Sequence, residues 1–420
     1  MSSLQRILIV GAGWEQLPII ERARARGFEV VAVDGNAAAP GLAYAHHARV
    51  VSTRDQQAVL AVARTMNVSA VTFMITETPL RTIRFVTSRL GLPGPSEASV
   101  VISTDKAAMR ERFAAAGIPN PPFARCEEPR SAREAAQQVG YPLIVKPVDS
   151  GGQRGVTLCR DAAALPIAVA AARAASPEGT IVLEGFVSGQ EVNVVAMVQA
   201  GRVVAMTVSD RITADAPAFG VVRRHAYPAA EVGHHGPALH ALVQASVDAM
   251  DLADGVVFPQ IMLGSDGPVL LETGARVPGG AMRELFEAAT GYDLVDFQLD
   301  VSLGRVAPLE AYRRSAGASA VVVRFLTADP GELRPGTVTG IHGEAAARDV
   351  AGISHVGVFA GTAVRDRIRP LRTGADRYYF VLAIGKDREA AHRATDCAIS
   401  HLDFHDPDGR SLWRHRSLDT

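Results

Sequence analysis

The sequence predicts a chain of mixed α/β and α+β class, and three observations carry that prediction. The first hundred residues alternate short apolar runs with helical patterns, which implies a parallel sheet covered by helices. Beyond Glu191 the apolar runs lengthen and pair across turns, as antiparallel strands do. Between these regions, the lysine-ended strand LIVKP runs into a loop of small residues, SGGQRG.

Each element follows in order. ILIV, Ile7 to Val10, reads as a buried strand, Gly11 and Gly13 open a turn, and a helical pattern runs from Glu15 to Arg26. FEVVAV leads to Asp34, about where a ribose-binding acid of a dinucleotide fold stands, but the third glycine of GxGxxG is replaced by Gln16. A sheet turn therefore competes with a nicotinamide cradle. After ARVVS come a helix from Asp55 to Met66, the strand AVTFMI and a further helix, and GLPGPS at Gly91 to Ser96 breaks the pattern. DKAAMRERFAAAG reads as a helix capped near Ser103 or Thr104 and closed by Gly117, followed by the extended IPNPP. A small α+β stretch then holds LIVKP, the glycine loop, GVTLC, a helix from Asp161 to Ala175, and TIVLEGF. EVNVVAMVQ and RVVAMTVS turn at Ala200 and Gly201, a helix spans about Pro237 to Met250, and GVVFPQIML pairs with PVLLET through GSDG. Two helical patterns reach Gly304, and from about Ser315 AVVVRFL and YYFVLAIG mark a further α+β unit. The expected division is residues 1–103, 104–310 with a mobile lid at about 119–185, and 311–420.

Composition narrows the function. Forty-three Lys and Arg against 44 Asp and Glu leave a charge of −1, so nothing steers the chain toward nucleic acid or an anionic membrane. Cys126, Cys159 and Cys397 are far apart and form neither a disulfide framework nor a zinc motif. MSSLQR leads straight into a strand and no apolar stretch approaches a membrane span, so a cytoplasmic protein acting on small molecules is expected.

Two constellations carry chemistry. Lys146 ends its strand just before Ser150, Gly151, Gly152 and Gly155, and glycines let backbone N–H groups approach a phosphate with no Cβ in the way. Further on, Gln260 and Glu272 lie nearly symmetrically about the GSDG turn, so their side chains become cross-strand neighbours able to hold magnesium. Arg276 follows, with Gly279 and Gly280 as candidate N–H donors to a substrate oxyanion. Arg223 and His225 share one face of an alternating strand and are candidates for gripping a substrate carboxylate.

In this order the parts resemble the ATP-grasp superfamily from about Asp105 to Gly304, with the first region similar to its pre-ATP domain, which has a Rossmann-like parallel sheet. The segment RVPGGAMRELFEAATGYDLVDFQLDVSLG and the last hundred residues are most similar to L-amino-acid ligases, with biotin carboxylase and carbamoyl-phosphate synthetase more distant. The resemblance implies ATP and magnesium (or manganese) as cofactors, a small carboxylate and an amine as substrates, and ADP with phosphate as products; a homodimer is the family-based expectation. It implies Lys106 and Lys146 as phosphate lysines and Glu184 with Gly185, Phe186 and Val187 at the adenine. It further implies Glu191 on the ribose, Gln260 and Glu272 on magnesium, and Arg276 on the transferring phosphoryl group. One position departs from the pattern: where the family has Asn two residues after the metal glutamate, this chain has Gly274, which implies a water in its place or a loosely held second magnesium. A purine-pathway or carboxylase-type enzyme, a nucleotide-binding protein without ligase activity, and an NAD-dependent oxidoreductase are the alternatives.

Overall fold

The computed structural model describes residues 5–128, 131–215, 218–359 and 367–414. The start of MSSLQR, residues 1–4, lies outside them.

The N-terminal sheet is parallel, in the order His47–Val50, Glu29–Asp34, Arg6–Val10, Ala70–Thr72. Its first turn puts Gly11 at φ +104°, a conformation that favours glycine. Asp34 closes that turn internally: one carboxylate oxygen accepts the Ala12 N–H at 2.8 Å and the other the Asn36 N–H at 2.8 Å. The glycines thus serve a sheet turn. Trp14–Gln16 forms a short 3-10 turn before the helix Leu17–Ala25, which places Trp14 and Glu15 at the sheet's carboxyl edge, where open α/β sheets bind ligands.

The expected lid is a four-stranded antiparallel sheet, Phe123–Cys126, Ile181–Gly185, Leu143–Pro147 and Thr157–Cys159. Helices Ala132–Val139 and Leu165–Ala175 pack on it, and their alanines meet Cys126, Leu143, Val145, Ile181 and Leu183 in a small core of its own.

The largest sheet has nine strands. Along its path it runs Gly267–Glu272, Gln260–Gly264, Gln190–Gln199, Arg202–Thr213, Val222–Tyr227, Ala320–Leu326, Tyr379–Gly385 and Ile353–Val358, with Gly255–Val257 pairing the third. The run GVVFPQIML is therefore two strands, because Pro259 has no N–H to continue a ladder. The same sheet also passes over the boundary expected at residue 310: Ala320–Leu326 pairs directly with Val222–Tyr227. Sequence patterning located the later strands but not the strand they join.

One cap is corrected. Asp105, not Ser103 or Thr104, caps the helix Lys106–Ala115, its carboxylate accepting the N–H groups of Ala107 and Ala108. Thr104 ends the preceding helix, and Ser103 Oγ accepts the Ala275 N–H at 3.0 Å. The helix expected at about Pro237 to Met250 starts earlier, spanning Val232–Ala249. No helix among the described residues is long and apolar enough to cross a membrane.

Candidate nucleotide and metal site

Asp105 caps its helix, so Lys106 stands at the first helical position, where a cation opposes the helix dipole and needs another partner. It has two. Lys106 Nζ lies 3.2 Å from Glu272 Oε1 and donates to the Ser150 carbonyl at 2.9 Å, joining the glycine loop to the metal strand. Burial pulls the Lys106 pKa down, but Glu272, with Glu77 and Glu184, outweighs that and holds it above the ordinary lysine value. Reciprocally, burial would raise Glu272, yet Lys106, Lys146 and Arg110 hold it down to about 2.

Gln260 and Glu272 are register partners across the hairpin, as expected, but through a register shift between Gln260 and Ile261: the pairing of Ile261 with Leu270 would otherwise put Leu271 opposite Gln260. Each supplies side-chain oxygen, and magnesium accepts amide and carboxylate oxygens. Among the described residues no group of three or more His, Cys, Asp and Glu could hold a metal. The donor set therefore suits an ion that keeps waters and shares phosphate oxygens, rather than one fully caged by protein.

Lys146, at the end of Leu143–Pro147, lies 2.8 Å from Glu184 Oε2. Arg110, one helical turn beyond Lys106, grips both oxygens of the same carboxylate at 2.9 and 3.1 Å. Arg110 also donates to the carbonyls of Leu270 and Leu271, which ties the lid strand carrying Glu184 to the metal hairpin. Burial pushes Glu184 up, but Arg110 and Lys146 bring it below the usual carboxylate range; burial, with Glu184 opposing, leaves Lys146 below its own usual value. Arg110 is fully buried. The sequence signal for it was an arginine four residues after Lys106, on the face shared with the apolar Ala107 and Phe113.

The remaining expected residues fall around this cluster. Glycines 151 and 152 have open space where a Cβ would stand, whereas Gly155, at φ +72°, has Ala175 Cβ 2.6 Å from that point, so it serves packing. Gly185 N–H donates to the Pro122 carbonyl and Phe186 N–H to the Pro142 carbonyl, so neither is free for a base. Glu191 pairs with Arg211 at 2.7 Å. Arg276 lies over Phe258, donates through Nε to Glu77 at 2.6 Å, and has a buried Nη1 with no hydrogen-bond partner.

Two expectations are corrected. The Gly280 N–H is not free for a substrate, because Glu15 Oε1 accepts it at 2.8 Å, and the same oxygen lies 2.6 Å from where a Gly279 Cβ would be. Arg223 pairs with Glu332 at 3.2 Å rather than facing a vacant subsite, and His225 is buried against Asn193 and Phe325, where burial holds its pKa well below the ordinary value and keeps it neutral.

Beside Gly279 and Gly280 stand side chains that sequence patterning missed. Burial raises Glu15 above the usual carboxylate range. Arg377 is pushed down to about 10 by burial, lies 4.3 Å over both Phe325 and Phe359, and has no carboxylate within salt-bridge reach among the described residues. Its Nη2 is 3.3 Å from where a Gly280 Cβ would stand, opposite Glu15. Both side chains are half-buried, so a ligand can reach them.

Comparison with known proteins gives the same outline. Residues 104–279 match the family described as phosphoribosylglycinamide synthetase, ATP-grasp (A) domain, and residues 324–405 match L-amino acid ligase C-terminal domain 2. The uncharacterized protein y4rH of Sinorhizobium fredii is 27% identical over 77% of this chain and 65% of its own length. A D-alanine–D-alanine ligase of Gloeobacter violaceus is 36% identical over 25% of this chain and 36% of its own. The chain thus spans about a third to just under two thirds of these curated relatives. The crystal structure of an L-amino acid ligase from Bacillus licheniformis superposes with a TM-score of 0.77 at 18% identity, covering 97% of this chain and all of that one.

Proposed function

Since this chain belongs to the ATP-grasp superfamily and carries a C-terminal domain of the L-amino acid ligase type, we propose that it is an ATP-dependent carboxylate–amine ligase. It would phosphorylate a small acid at its carboxylate, join the acyl group to an amine, and release ADP and phosphate. The observation that carries this reading is the convergence of Lys106, Lys146, Gln260 and Glu272 beside the open glycine loop.

The chemistry is mainly electrostatic. Bringing a phosphoryl group to a carboxylate opposes two anions, and unit charges 4 Å apart repel by about 4 kcal/mol at an effective dielectric near 20. Magnesium, held by Gln260 and Glu272, would supply charge neutralisation between the phosphates when bound. Lys106 and Lys146 bind phosphate oxygens, and the unpartnered Nη1 of Arg276 donates to the transferring group or to the acyl-phosphate oxyanion. Gln153, at the tip of the glycine loop, approaches Gly220 in the turn between two strands of the large sheet, so the loop spans the cleft and excludes water that would hydrolyse an acyl-phosphate. At the far end Glu15 suits an ammonium and Arg377 a carboxylate, which favours amino acids as substrates.

The test measures phosphate and ADP release with amino acids offered singly and in pairs. Turnover that needs an acid and an amine together, with ADP as product, is expected; AMP as product would overturn it. The match at residues 104–279 favours a second reading, a phosphoribosylamine substrate, tested by adding phosphoribosylamine with each amino acid to the same assay.

A further inference from the structure

We propose that Glu77, from the N-terminal region, supplies the metal ligand that the strand carrying Glu272 lacks at Gly274. This rests on the reading of Gln260 and Glu272 as magnesium ligands. After Glu272 the chain stays extended: Val257 bridges Ala275 and Phe258 N–H donates to the Gly274 carbonyl. Residues 272 and 274 of an extended chain project to the same side. A Cβ at Gly274 would therefore point to the face that bears Glu272, and it would lie 2.7 Å from Glu77 Oε1. A carboxylate from elsewhere in the chain occupies the volume that a side chain at 274 would fill.

The surroundings hold Glu77 there. Ile75 N–H donates to the Val277 carbonyl at 2.9 Å, and Ile75 bridges Pro278, fastening the loop alongside the strand's continuation. Ile75 adopts φ +80°, a region that β-branched residues avoid, and such backbone persists only where its surroundings impose it. Glu77 also acts on the same cations as the metal pair: it is among the acids that raise Lys106, and it accepts from Arg276 Nε at 2.6 Å. With Gln260 and Glu272 it makes a three-residue oxygen set whose third member comes from a separate part of the fold. A side chain at 274 would have to displace the Glu77 carboxylate from this position, so the departure at Gly274 and the position of Glu77 are one exchange.

The test titrates Mn2+ by electron paramagnetic resonance with ADP present, and ADP binding without metal separately. Glu77→Gln keeps an oxygen for Arg276 but loses the charge, and is expected to weaken Mn2+ at least tenfold while metal-free ADP binding changes less than twofold. Gly274→Asn alone would collide with Glu77 and also weaken Mn2+; combined with Glu77→Ala, it is expected to bind Mn2+ within threefold of the unaltered protein. Unchanged Mn2+ affinity in Glu77→Gln, or a double variant no better than Glu77→Ala, overturns the assignment. So does a Glu77→Gln protein whose turnover falls while Mn2+ affinity holds, which would make Glu77 a positioning residue for Arg276. If variants with the Gly274→Asn change fail to fold, Glu77→Gln decides alone. Loss of ADP binding in the unaltered protein would instead refute the nucleotide-site reading.

Discussion

Lys106→Met should change metal and nucleotide binding in opposite directions. Lys106 Nζ stands 3.2 Å from Glu272 Oε1, a separation at which unit charges attract by about 5 kcal/mol at an effective dielectric of ~20. The Glu272 side chain is 35% exposed, so screening reduces that to roughly 1–2 kcal/mol. The acid leads to a similar size: depression from 4.5 to about 2 corresponds to about 3 kcal/mol before the same discount, and Lys146 and Arg110 share in it. Because the folded-state value is depressed, the stabilisation is complete above the ordinary carboxylate pKa and disappears as pH falls from about 4.5 toward 2.

Lys106→Met, which keeps the apolar stem, is thus expected to lower unfolding free energy by roughly 1–2 kcal/mol at pH 7, and by less on acidification from pH 5 to 3. Freed of its cation, Glu272 becomes available to a divalent ion. Mn2+ affinity without nucleotide should rise about tenfold, and ADP affinity should fall by a similar factor, about 1.4 kcal/mol each way. Urea unfolding across pH and the two titrations measure all three. If Mn2+ and ADP affinities fall together, Lys106 does not compete with a metal for Glu272, and the site is mis-assigned.

Glu184→Gln leaves Arg110 and Lys146 buried without a counter-charge, and should cost about 3–5 kcal/mol, read as a lower urea midpoint; a loss under 1 kcal/mol would show that the pair is not desolvated. Arg377→Lys tests the substrate end through pH. Burial lowers Arg377 to about 10, and the same burden would place a lysine, ordinarily at about 10.4, near ~8. The cation is then lost as pH rises, so KM for the acid should climb above about pH 8 in the variant only; superimposable profiles would remove Arg377 from the substrate. Arg223→Ala should alter KM less than about twofold, since Glu332 keeps Arg324 as partner at 3.1 Å; a tenfold rise would restore Arg223 to the substrate site.

What the sequence disclosed was local. Lys146 with its glycine loop lies within ten residues, and Gln260 with Glu272 within one hairpin, close enough in sequence to be paired, although the register shift that sets them opposite each other was not legible. The partners that complete the site are distant in the chain: Glu77 meets Arg276 across 199 positions, Glu15 meets Gly280 across 265, and Arg110 meets Glu184 across 74. No periodicity encodes such contacts. The expectation that Gly280 would offer a free N–H failed for this reason, since the acceptor sits in the first turn of the chain. The opening GAG turn was readable as a turn, but its use in delivering Glu15 was not.

Two acids hold lysines in this cleft, and their surroundings assign them different tasks. Glu184 is only 5% exposed, is gripped by both Arg110 and Lys146, and has no open side from which a ligand could displace them. It is an anchor: it keeps Lys146 charged and aimed despite burial that would otherwise favour the neutral amine. Glu272 has one close cation and a side chain a third exposed, so its partner can be exchanged. On the proposed reading, an arriving triphosphate with its divalent ion would offer that exchange, with phosphate oxygens replacing the carboxylate on Lys106 and the ion replacing Lys106 on the carboxylate. The number of charges in the cleft stays matched before and after, so neither state leaves a cation buried without an anion.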